Sequence, residues 1–158
     1  MKGMRIGSGA ALAVGALAVA GLALAPTAVA VSPQSAAIIA DCGSFGGGEA
    51  TLTATQDGAA ATLTVNSSAI TAPIALAQDS IQSTLTLVKA GGGTTVFTGT
   101  KNPAMAAGDT VTVGPLDGTV ASGDRLEAYG GSLQMTVFGI TITCTATGPQ
   151  SPGPFVFD

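Results

Sequence analysis

Histidine and tryptophan are both missing from this chain, and it has a single tyrosine. Without histidine there is no Ser-His-Asp triad, no Cys-His pair and no imidazole-ligated metal site. So few aromatic rings leave little for a sugar or a base to stack on. Charge is equally sparse, with five Lys and Arg against nine Asp and Glu. The cysteines number two, Cys42 and Cys144. Joined to each other, they leave no thiolate for catalysis or zinc.

What is present begins with a segment that reads as an export signal. Lys2 and Arg5 form a positive start, and an uncharged apolar run over residues 10–25 follows. Pro26 breaks that run, and Ala28-Val29-Ala30 supplies small residues at the cleavage positions. The run is shorter than the ~20 apolar residues of a spanning helix, so cleavage after Ala30 is expected rather than a retained anchor. Arg5 stands alone, which favours the general export route over a twin-arginine one. Asp41 precedes Cys42, which argues against lipidation there. Residues 31–158 then form one domain, secreted or loosely held by the cell wall, with nothing visible to tie it to a membrane. Two of the five cations lie in the leader, leaving Lys89, Lys101 and Arg125 against all nine acids. That balance excludes a phosphate-tracking groove and disfavours nucleic acid and anionic membranes as partners.

From Ala36 onward threonine alternates with apolar residues, as in Thr51-Leu52-Thr53-Ala54-Thr55 and Thr141-Ile142-Thr143-Cys144-Thr145. Period-two alternation of β-branched residues means strands with one buried and one wet face. Turn signals separate them: Asp57-Gly58, 91–93, Asn102-Pro103, Gly114-Pro115, Asp117-Gly118 and Gly130-Gly131. Short strands at this spacing predict an all-β fold, an immunoglobulin-like β-sandwich of roughly seven to nine antiparallel strands. Cys42 shares a parity with Ile38 and Ala40, and Cys144 with Ile140 and Ile142. Both cysteines therefore point inward, and a disulfide joining an early and a late strand is expected. Parity shifts by one at Phe138-Gly139, which marks a β-bulge or a tight turn.

Candidate chemistry is thin. Asp124 and Glu127 form the closest acid pair in a predicted loop, the arrangement a carboxylate-dependent hydrolase needs. Asp109 and Asp117 would add oxygens for calcium, but there is no D-x-D-x-D-G loop, and no metal or cofactor is expected. Ser83 and Lys89 lie six apart on one strand, too far for a dyad. Asn66-Ser67-Ser68 fits a glycosylation sequon but reads as a turn. The threonine ladders hold no constant period, so a repeating ice-binding face is not expected.

The signal, the cysteine on the first strand and the last strand Val137-Phe138-Gly139-Ile140-Thr141-Ile142-Thr143-Cys144-Thr145 resemble small exported β-sandwich proteins of high-GC Gram-positive bacteria. The chain is also similar to the enediyne-carrier apoproteins, which are small acidic secreted sandwiches with typically two disulfides where this chain can form one. Neither resemblance supplies catalytic residues. The expectation is a non-enzymatic binding or structural protein of the cell envelope or extracellular space. Its partner would be a protein or the cell wall, or a second copy of itself through weakly charged edge strands. The alternatives are a carrier holding a small apolar ligand near Phe97, Phe138 and Tyr129, and the hydrolase using Asp124 and Glu127.

Overall fold

The computed structural model describes residues 30–158, so the export signal lies, apart from Ala30, outside the described residues. Ten strands follow one another: β1 (Val31–Ser32), β2 (Ser35–Asp41), β3 (Gly47–Asp57), β4 (Ala60–Thr71), β5 (Gln82–Lys89), β6 (Thr94–Gly99), β7 (Thr110–Thr119), β8 (Arg125–Val137), β9 (Ile140–Ala146) and β10 (Phe155–Phe157). A 3-10 turn, Gly43–Phe45, links β2 to β3. No helix among the described residues is long and apolar enough to cross a membrane.

The strands do not form a sandwich. Their order is β8-β5-β6-β7-β4-β3-β2-β9, and β9 pairs back onto β8, so eight antiparallel strands close into a barrel. β10 and β1 add two outer strands to β8. The sandwich expectation failed at three glycine-containing signals that read as turns. Gly114-Pro115 and Asp117-Gly118 lie inside β7, and Gly130-Gly131 lies inside β8. The β4–β7 register slips between Leu63 and Val65, opposite Gly114-Pro115. The β5–β8 register slips between Thr86 and Val88, opposite Gly130-Gly131. A Cβ on Gly131 would lie 2.0 Å from the Thr86 carbonyl oxygen, so only glycine allows that approach. Bulges and glycine bends of this kind curve long strands around a barrel. What looked like several short strands is two long bent ones.

Inside and outside follow the alternation. Leu52, Leu63, Leu85, Leu87 and Leu116 point inward and are buried. Outward threonines pair across strands, with hydroxyl contacts of 2.6 Å for Thr55–Thr62 and 2.9 Å for Thr136–Thr141. An apolar interior and a hydroxyl-rich exterior are the reverse of a barrel built to lie in lipid. Each barrel strand has a neighbour on both sides, and β1, paired only with β10, is left as the outer edge strand.

Closure is thin at two seams. β6 meets β7 at two residue pairs, Phe97↔Gly118 and Thr98↔Asp117. A Cβ on Gly118 would sit 2.4 Å from the buried Phe97 ring, so the ring occupies the space a side chain would take. β2 meets β9 at Ala40↔Ala146 and Asp41↔Thr145. The next rung of that register is Cys42 opposite Cys144, and there the two sulfurs are bonded, with Cα atoms 4.0 Å apart. The disulfide is a covalent rung that completes the barrel.

Two stability measurements follow. Replacing both cysteines by alanine should lower the unfolding free energy by about 4–5 kcal/mol in urea melts, the loop-closure value for ~100 residues. A loss below about 1 kcal/mol would mean the seam holds without its covalent rung. Gly118→Ala should cost about 1–3 kcal/mol through overpacking against Phe97, and an unchanged urea midpoint would contradict that packing.

Candidate functional site

The two ends of the barrel differ. At one end the β1–β10 ribbon runs from β8 toward the tip of β3, where the Asp158 N–H donates to Gln56 Oε1 at 3.1 Å. It brings Val31, Phe155 and Phe157 into the core, all three buried, with the two rings 6.5 Å apart. That end is filled. At the other end lie the β2–β3 turn, the β4–β5 and β6–β7 connections and the β8–β9 hairpin. Between them is an open apolar cleft of about 310 Å³. Phe45, Ile74, Val137, Phe138 and Ile140 surround its entrance, and Val111 and Met135 lie deeper. Thr71 carries the one side-chain hydroxyl in the lining, and no charged residue lines it.

Below the cleft is a second void of about 50 Å³ inside the barrel. Its origin is legible in side-chain size. Inward positions that line it include Ala40 on β2, Ala50 on β3 and Ala128 on β8, too small to reach the opposite wall. Cys42, Ile70, Val111 and Met135 border both spaces. The disulfide therefore forms part of the floor of one and the wall of the other.

The rim is fastened by polar groups. Asn102 is buried, and its Oδ1 accepts the N–H groups of Ser80 at 2.8 Å and Ile81 at 2.9 Å. Its Nδ2 donates to the carbonyls of Ala77 at 2.9 Å and Pro103 at 2.8 Å. One side chain thus stitches the β4–β5 connection to the β6–β7 connection. Asp109 Oδ2 accepts the Ala106 N–H at 2.8 Å, and the Asp109 carbonyl accepts the Ala72 N–H at 2.8 Å. In sequence Asn102 read only as a turn residue, since a lone Asn-Pro says nothing about a partner twenty residues away.

Phe138 is the unusual rim residue. It and Gly139 form the two-residue turn between Val137 and Ile140, with φ of 50° and 76°. Positive φ at both central positions is the backbone signature of a type I′ hairpin turn, which favours Asn, Asp or Gly. A phenylalanine there is strained by the contact of its Cβ with the backbone. It is also 72% exposed, so packing does not compensate for the strain.

The residues singled out in the sequence do not gather here. Of the three aromatics, Phe138 lines the cleft, Phe97 is fully buried in the barrel core and Tyr129 is exposed on the outer face of β8. Asp124 and Glu127 lie at the filled end, each engaged in holding backbone. Asp124 accepts the Ala121 N–H at 2.9 Å and pairs with Lys89 at 3.2 Å. Those contacts hold its pKa below the ordinary aspartate value, the Ala121 hydrogen bond contributing most and partial burial opposing it. Glu127 Oε1 accepts the Gln150 N–H at 2.8 Å and the Tyr129 N–H at 3.3 Å. Asp117 pairs with Lys101 at 3.0 Å. Among the described residues no three His, Cys, Asp or Glu side chains come together as metal ligands. Ser83 is buried on β5 with its hydroxyl unpartnered, while Lys89 at the far end of that strand is occupied by Asp124.

No protein family, no curated protein and no solved structure matches this chain.

The depressed Asp124 pKa has a pH consequence. The ionised form is stabilised by folding, so its contribution is present above about pH 4 and is lost as pH falls through the lower folded value. Thermal melts between pH 2 and 6 should show Asp124→Asn losing less stability than the wild type on acidification. Parallel curves for the two proteins would contradict the structural role assigned to this carboxylate.

Proposed function

We propose that the protein is an exported, non-enzymatic binding protein whose barrel mouth holds a small apolar ligand. One observation carries the reading: an apolar cleft of about 310 Å³ at the open end of a barrel whose other end is filled. That volume falls at the lower end of the range for small-molecule sites, which are concave, mostly apolar and few per protein. The strained, exposed Phe138 supports it, because strain retained without packing is commonly kept for function. The disulfide and the leader-like residues 1–30 support export, since disulfides persist in oxidising compartments. Asp124 and Glu127, tied into backbone contacts at the filled end, favour binding over carboxylate chemistry.

The test is titration with a neutral fluorescent apolar probe, N-phenyl-1-naphthylamine, in parallel with sedimentation. The wild type should bind one probe per monomer. Ile140→Asp and Phe138→Asn should each weaken binding by about tenfold, roughly the worth of one partly buried apolar side chain. Phe138→Asn should at the same time raise stability by about 1 kcal/mol, because asparagine tolerates positive φ. Dimers that form through the mouth and exclude the probe would replace the carrier reading with self-association.

A further inference from the structure

Resting on the reading of the mouth as a binding site, we infer that its ligand is a single neutral hydrocarbon chain, threaded end-on through the cleft into the inner void. Three observations lead there. The first is continuity. The outer cleft and the inner void share Cys42, Ile70, Val111 and Met135, so the two spaces adjoin across these four residues. Met135 is unbranched, with three rotatable bonds, and changes conformation at little cost. It stands on β8 as a movable partition between the two spaces.

The second is volume. A cavity of about 150 Å³ takes one benzene ring, six carbons. By that measure the 310 Å³ cleft takes about twelve carbons, and the 50 Å³ void adds about two more. The distribution selects for shape. A broad outer space leading to a narrow inner one admits the tip of a chain, whereas a rigid fused-ring ligand would leave the inner void empty.

The third is electrostatic. No charged residue lines either space, and Thr71, Ser67, Ser132 and Thr145 provide the only side-chain hydroxyls. Lys89 and Lys101 are taken up by Asp124 and Asp117. Among the described residues, a carboxylate or phosphate would find no cation in the lining of either space, and the chain carries nine acids against five bases. A charged head would have to stay fully hydrated outside, beside like charge. An alcohol, ester or hydrocarbon terminus carries no such penalty.

The experiment is displacement of N-phenyl-1-naphthylamine by the straight-chain 1-alkanols from six to sixteen carbons, with decanoate and a fused bicyclic alcohol of ten carbons for comparison. Affinity should rise by about fourfold per methylene and level off near fourteen carbons, the sum of the two spaces. Decanoate should bind at least tenfold more weakly than 1-decanol, and the bicyclic alcohol more weakly than the chain. Ala50 lines the inner void and not the cleft. Ala50→Val should therefore move the plateau about two carbons shorter while leaving the affinity of 1-hexanol unchanged. Met135→Ala should move it longer, and it provides the check on the same partition if the valine variant proves unstable in urea melts. A plateau that neither variant moves overturns the threaded pose. So does equal or tighter binding of the bicyclic alcohol. Decanoate binding as tightly as 1-decanol overturns neutrality. Failure of the probe itself to bind the wild type would remove the carrier reading altogether, which separates that failure from the others.

Discussion

Everything in this molecule depends on bringing β2 to β9. Without that contact the strands form an open, curled sheet whose first and last barrel strands expose unpaired backbone. Closing it joins residues 102 apart in sequence, so most of the folded chain lies within the loop. Such closure is entropically unfavourable before it is rewarded by contacts. Only two backbone rungs stand at the seam, with the Ala37–Ser151 bridge and the Thr147 N–H to Ile39 carbonyl bond prolonging it. The Cys42–Cys144 bond supplies the constraint that these few hydrogen bonds supply weakly. The same bond borders the cleft, so closure of the barrel and formation of the site are one event.

The interior has been filled unevenly. The filled end receives Phe155, Phe157, Leu126 and Phe97, all without exposure. The β2–β3 wall contributes alanines, and toward the mouth the packing gives way to open space. A cavity lined by apolar groups forfeits dispersion contacts and stability. Packed rings at the closed end, and Ala40 and Ala50 beside the inner void, are therefore a division of labour along the barrel axis. The phenylalanines supply stability, and the alanines leave room.

Much of this was legible in the sequence, for reasons tied to local geometry. Alternating threonines announced strands with one wet face, and the parity of Cys42 and Cys144 announced two inward sulfurs facing apolar neighbours. The parity shift at Phe138-Gly139 is a hairpin turn between two strands, where Val137 to Thr145 had read as one last strand. Closure was not legible, because a sandwich strand and a barrel strand alternate alike. The glycines that distinguish them, Gly114 and Gly130 with positive φ inside strands, carry the same local signal as turns. The cleft was hidden for a different reason: its rim comes from three connections far apart in the chain, through Phe45, Ile74 and Phe138. Asp124 and Glu127 drew notice by nearness in sequence, yet each faces its own backbone partner, and shared chemistry needs a shared space.

The filled end has a kinetic consequence. With Val31, Phe155 and Phe157 packed against the base, what enters at the mouth finds the opposite end of the barrel closed. Whatever enters must leave by the route it came, and nothing arriving later can push it out from behind. Residence time is then governed by the breathing of a single hairpin and the connections beside it, and the opposite half of the barrel can be as rigid as its core allows.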